Sequence, residues 1–191
     1  MYLAAVPTPI SPPASPTYQQ RIDPGINDVL SPWTSPVVFD VRKLPQDGIA
    51  FSDARSAETA ALGRPVLLSR ASAIRIISRE FPWVIDIRRP ANVPVTCLDL
   101  LTEIHDMLAV EVEHSEWGGA DAMKQRVIQR AHVGRTGSGT VGKILRVDWL
   151  GPKVLFLGLA TDDGLVKARL LPKRRREFQE TLVAVFGAPS R

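Results

Sequence analysis

Seven consecutive residues, Gly137-Ser138-Gly139-Thr140-Val141-Gly142-Lys143, satisfy the Gly-x-x-x-x-Gly-Lys spacing of a phosphate-binding loop. Such a loop needs Ser or Thr directly after the Lys to hold magnesium, and here that position is Ile144. It also needs a strand before it and a helix after it, so that the helix N-terminus faces the anion. The local pattern reads the other way, helix first and strand second. Nucleotide hydrolysis is therefore rejected, and a glycine-rich connection with at most a weak anion nest is left. Ser138 lies in Thr-Gly-Ser-Gly-Thr and lacks the Gly-x-Ser-x-Gly frame of a nucleophile elbow.

The next cluster with chemistry is Glu111-Val112-Glu113-His114-Ser115-Glu116, which puts carboxylates beside an imidazole. Its spacing matches no His-Glu-x-x-His site, and the single cysteine, Cys97, cannot complete a zinc set. It reads as a solvated acidic face, with no metal or cofactor. His105 falls on the apolar stripe of its predicted helix and reads as a core histidine. An enzyme built from residues distant in sequence would start from Arg146 and Asp148, with His114 or Glu113 arriving from the helical segment.

Basic chemistry concentrates in Lys173-Arg174-Arg175-Arg176, which has the look of a short nuclear import signal or a phosphate-backbone contact. Cations at the start of a predicted helix oppose its dipole, which hints at use. Of the aromatics only Phe178 stands nearby, so nucleic acid is disfavoured. Trp83 and Trp149 alternate with polar neighbours and are expected in the core. Trp117, beside Gly118-Gly119, is the candidate surface anchor.

The whole chain is 191 residues with net charge +4, 45% hydrophobic and 23% charged, ordinary values for a globular protein. The average hides a split. Residues 37–121 carry net −4 and residues 122–191 carry net +9, and no Lys or Arg occurs between Arg89 and Lys124. Acidic and basic faces of this kind would let copies pack together as a homo-oligomer, or steer an unidentified protein partner. No run approaches the ~20 apolar residues of a membrane helix, and the N-terminus lacks a signal peptide's basic region. A lone cysteine agrees with an intracellular protein, cytoplasmic or nuclear.

These residues must be positioned by elements that the pattern also predicts. Residues 1–36 hold 8 of the 16 prolines and read as a disordered arm with several Ser-Pro dipeptides. A single domain is expected over 37–187, with 188–191 as a tail. Val37–Val41 reads as a strand and residues 42–65 as a surface connection. Ala73–Ser78 and Trp83–Arg88 read as an antiparallel hairpin with Trp83, Ile85 and Ile87 inward. Thr96 caps a helix with Asp99 three residues on, and Leu98, Leu101, Ile104 and Leu108 repeat along it. A second helix is expected over Gly119–Val133 with Met123, Val127 and Ala131 inward. Strands are expected at Lys143–Leu150, Val154–Leu159 and Leu165–Leu171, the last two joined by an Asp162-Asp163-Gly164 turn. A final helix over Lys173–Phe186 would stop at Gly187. The sum is an α+β fold, an antiparallel sheet of hairpins packed by about three helices.

With these elements placed, the body resembles the fungal family catalogued as domain of unknown function 6699. The points of resemblance are Val38-Phe39-Asp40-Val41, Pro82-Trp83-Val84-Ile85, Val95-Thr96 before a helix ending His105-Asp106-Met107-Leu108, Arg146-Val147-Asp148-Trp149-Leu150, and Phe156-Leu157-Gly158-Leu159. They span about Val37 to Leu171. The resemblance implies a fungal source and this architecture, and it transfers no functional residue. The leading expectation is a non-enzymatic protein-interaction module using the proline arm and the charge split. The rivals are the dispersed-site enzyme and a nuclear or nucleic-acid-associated protein using the basic C-terminal half.

Overall fold

The β-branched run Ala73-Ile74-Arg75-Ile76-Ile77-Ser78 forms a strand, and it pairs antiparallel with Ile85–Arg88 in the register Ile74↔Ile87 and Ile76↔Ile85. That register puts four isoleucines on one buried face. The hairpin is the end of a six-stranded sheet in a computed structural model of the chain, which describes residues 25–33, 37–51, 59–137, 142–171, 178 and 180–189. The strands are β1 (Val37–Asp40), β2 (Ile49–Phe51), β3 (Ala73–Ser78), β4 (Ile85–Arg88), β5 (Leu155–Ala160) and β6 (Glu180–Gly187), in the order β2-β1-β5-β6-β3-β4. The sheet is mixed: β3 and β6 run parallel, and the other neighbouring pairs are antiparallel. The α+β class holds.

The helices are α1 (Pro45–Gly48), α2 (Thr59–Leu62), α3 (Cys97–Leu108), α4 (His114–Gly119), α5 (Ala122–Thr136), α6 (Arg146–Trp149) and α7 (Asp163–Arg169). Thr96 and Asp99 close the expected capping box on α3. Its buried stripe is Cys97, Leu100, Leu101, Ile104 and Leu108, while Leu98 lies half in solvent. This stripe and the inner face of the sheet make one core with Phe39, Phe156, Leu182 and Phe186. On the opposite face Leu165 and Val166 of α7, with Leu170 just past its end, cover Ile77 and Val183.

Several expectations fail for identifiable reasons. The segment Glu180–Gly187 is the central strand β6, not the end of a helix. Leu182 and Phe186 are four apart, a spacing that suits a helix face and a strand face alike. Position between β5 and β3 decides for the strand, because the backbone there finds ladder partners on both sides. Asp162-Asp163-Gly164 makes no hairpin turn; Asp162 accepts from the Leu165 amide and caps α7 where a strand was expected. Lys143–Leu150 is not a strand either. Asp148 accepts from the Leu145 amide and turns Arg146–Trp149 into a single helical turn. Helix α5 starts and ends about three residues later than expected and buries Ile128 and His132, leaving Met123 74% exposed.

The body also begins earlier. Ile26, Val29 and Leu30, assigned to the arm, are buried, and Ile26 bridges Leu67. The chain at Leu30–Pro32 crosses β5 so closely that a Cβ on Gly158 would lie 2.4 Å from the Leu30 carbonyl oxygen. Gly158 there has φ 141°, which only glycine adopts readily, and the β5–β6 register shifts beside it. Residues 42–65 hold α1, β2 and α2, not an unstructured connection. Among the described residues no helix is long and apolar enough to cross a membrane.

Candidate functional site

Trp83 and Trp149, 66 positions apart in sequence, meet edge to face with ring centroids 5.1 Å apart. They line a pocket of about 290 Å³ with Pro82, Ser115, Glu116 and Gly119. Three elements line it. The β3–β4 loop brings Pro82 and Trp83. Arg169 of α7 pins that loop by donating to the carbonyls of Ser78, Phe81, Pro82 and Trp83. The α6 turn brings Trp149 and α4 brings Ser115, Glu116 and Gly119, while Lys124 in the first turn of α5 lies against the Trp149 ring. The rings continue inward from Trp83 to Phe81, Phe186 and Phe156 at 5.8–6.0 Å, so the pocket wall is rooted in the core.

Glu116 is the hub of the polar side. Its Oε1 accepts from the Trp83 indole N–H and from Arg146, and its Oε2 accepts from the Glu113 amide. Burial alone would raise this carboxyl, but the bonds from Arg146, the Glu113 amide and Trp83 outweigh it and hold it below its ordinary value. The Arg146 guanidinium stacks 4.7 Å over the Trp83 ring. Its Nε is buried with no acceptor among the described residues, a penalty on the order of 1–3 kcal/mol that the stacking offsets in part.

Lys124 lies beside the pocket. Its ammonium lies 5.6 Å over the Trp149 ring, and no carboxylate of the described residues sits within ion-pair distance. Burial lowers its pKa; the charges of Glu80 and Asp121 oppose that shift and nearby Lys153 adds to it. Glu80 itself is bonded to Lys153 at 2.7 Å.

A second network lies behind α6. Asp148, 2% exposed, accepts from Arg135 at 2.7 and 2.8 Å and from the Leu145 amide at 2.9 Å, with His132 Nδ1 at 3.6 Å. Arg135 also donates to the Lys143 carbonyl, which fixes the segment leaving the glycine-rich connection. The bond to Asp148 raises Arg135 further above its ordinary value. This is a structural bolt between α5 and α6, since every strong donor and acceptor in it is already engaged.

The residues singled out from sequence scatter. Lys173, Arg174, Arg175 and Arg176 lie outside the described residues, as do positions 138–141 of the glycine motif. Trp117 is half-buried and packs against the main core rather than standing free. Arg146 and Asp148 face different partners, Glu116 and Arg135. Glu113 and His114 are exposed at the start of α4, and Glu111 pairs with Lys143. His105 keeps partial solvent contact and bonds Asp106 at 3.1 Å. Among the described residues no three His, Cys, Asp or Glu side chains gather as metal ligands would. Trp83 and Trp149 are each expected in the core from their alternation with polar neighbours; no local signal announces their meeting with each other or with Lys124.

The fold and the rim thus define an α+β domain with an open, charge-edged aromatic groove. Residues 37–168, more than half of the chain, match the Family of unknown function (DUF6699), and the chain belongs to that family. No curated protein and no solved structure matches it.

Proposed function

We propose that the chain is a non-enzymatic protein-interaction module, which takes a partner's extended segment in the Trp83–Trp149 groove and sets a partner carboxylate on Lys124. The observation that carries this reading is an open aromatic pocket with a half-buried ammonium against one of its rings, an ammonium in no ion pair among the described residues. A desolvated cation gains from an incoming anion, and indole walls supply apolar contact area at little entropic cost. The described lining is two indoles with Pro82, Ser115, Gly119 and the single acid Glu116, so an extended protein segment suits it better than a phosphate backbone. The enzyme reading draws less support, because Arg146 and Asp148 are held in separate structural pairs. A location inside the cell, in cytosol or nucleus of a fungal host, accords with a single cysteine that is buried.

The test is a titration of the full chain with short peptides carrying Asp or Glu beside an apolar residue, followed by tryptophan fluorescence. Binding is expected to shift the emission and to weaken with salt. The Lys124→Gln variant should lose about tenfold or more in affinity, as removal of one charged partner does, with an unchanged melting temperature. Equal binding of acidic and basic peptides, or an indifferent Lys124→Gln, would sink the reading.

A further inference from the structure

We propose that the chain associates with a second copy of itself by laying the outer face of α3 on the outer face of α5. The two faces carry opposite charge at matching spacing. On α3, Glu103 and Asp106 are exposed one turn apart, with half-exposed Val110 just past the helix end. On α5, Met123, Arg126, Arg130 and Val133 fall at i, i+3, i+7 and i+10, one stripe on the solvent side. Met123 and Val133 are 74% and 44% exposed, and Arg126, Gln129, Arg130 and Val133 line a shallow depression of about 320 Å³. Ile128 and His132 hold the other side of α5 in the core, so this stripe is set outward.

Neither face is neutralised among the described residues. Glu103, Arg126 and Arg130 enter no ion pair among the described residues, and Asp106 meets only His105. No Lys or Arg lies between Arg89 and Lys124, and Arg89 itself pairs with Asp99 in the first turn of α3, so the stretch holding Glu103 and Asp106 brings no cation of its own. Pairing α5 with α5 would set arginine against arginine, and α3 with α3 acid against acid. Charge complementarity therefore selects the heterologous contact, α3 of one copy on α5 of the next. The acids are about 4.5 Å apart along α3 and the arginines about 6 Å apart along α5, well within the reach of the arginine side chains. Met123, Val133 and Val110 supply apolar contact at the ends of the charged pairs. The occupant is a second copy because both halves of the contact are present on one chain. The contact shares no residue with the tryptophan groove.

The experiment is sedimentation of the full chain over a concentration series, at about 0.05 M and about 0.5 M salt to move the screening length. Surface ion pairs are individually weak, so reversible association is expected with a dissociation constant on the order of 10–100 µM at low salt, weakening about tenfold at high salt. The variants Glu103→Lys/Asp106→Lys and Arg126→Glu/Arg130→Glu should each sediment as monomers while keeping the wild-type circular dichroism and melting temperature. Mixing the two variants should restore association, because each reversed face then meets an opposite one. A wild-type chain that stays monomeric throughout the low-salt series overturns the proposal. So does a folded pair of variants that fails to associate on mixing, or self-association that neither variant disturbs.

Discussion

At the residue scale the groove turns on which charges are satisfied. Glu116 is held by Arg146, the Glu113 amide and Trp83, and its carboxyl titrates below its ordinary value of 4.5. A carboxyl whose folded pKa is depressed contributes stability that is present above the unfolded value and is lost as pH falls through the folded one. Glu116→Gln should therefore lower stability by about 1–2 kcal/mol at pH 7, as loss of charged hydrogen bonds does. In urea melts the gap between wild type and variant should narrow steadily as pH drops below 4.5. Cys97 is the opposite case. Burial pushes its thiol up to about 12, so at pH 8 almost none is thiolate. Alkylation by iodoacetamide should proceed only in denaturant, and rapid labelling of the native chain would contradict this burial.

At the element scale the decisive joints are short helical turns placed by side chains. Asp148 turns the α6 segment by accepting from the Leu145 amide, and it ties that turn to α5 through Arg135. Asp148→Asn keeps the shape but leaves Arg135 and His132 beside a neutral amide. We expect a loss of about 3 kcal/mol, in the range for breaking a buried pair, read as a lower urea midpoint. Because α6 carries Trp149 and Arg146, the same variant should weaken peptide binding at the groove. Arg169 has the corresponding role for the β3–β4 loop, where it gathers the carbonyls that set Trp83.

At the scale of the whole molecule the sheet is closed by chain segments far apart in sequence. The segment Leu30–Pro32 crosses β5, β6 enters between β5 and β3, and α7 seals the second face. Leu30, 1% exposed, is thus a core residue of the domain and not part of an arm. Leu30→Ala should cost about 3 kcal/mol, as for other buried leucines, visible as a fall in the melting temperature. A neutral effect would mean that the segment before β1 packs only loosely.

What could be read from the sequence alone was local. The β3–β4 hairpin follows from β-branched alternation around Phe81-Pro82, and the start of α3 follows from Thr96 and Asp99, since both signals lie within a few residues. The α+β class and the family resemblance over the body also came from order and spacing. Elsewhere the same residues fit two structures. Asp162 could open a hairpin or cap a helix, and Leu182 with Phe186 could face one side of either element. The surroundings broke those ties, through ladder partners on both sides of β6 and a packing surface beneath α7. The groove was hidden for a stronger reason. Its two indoles and carboxylate hub, with the Lys124 ammonium beside them, come from four elements, and only the closed sheet brings them within 6 Å.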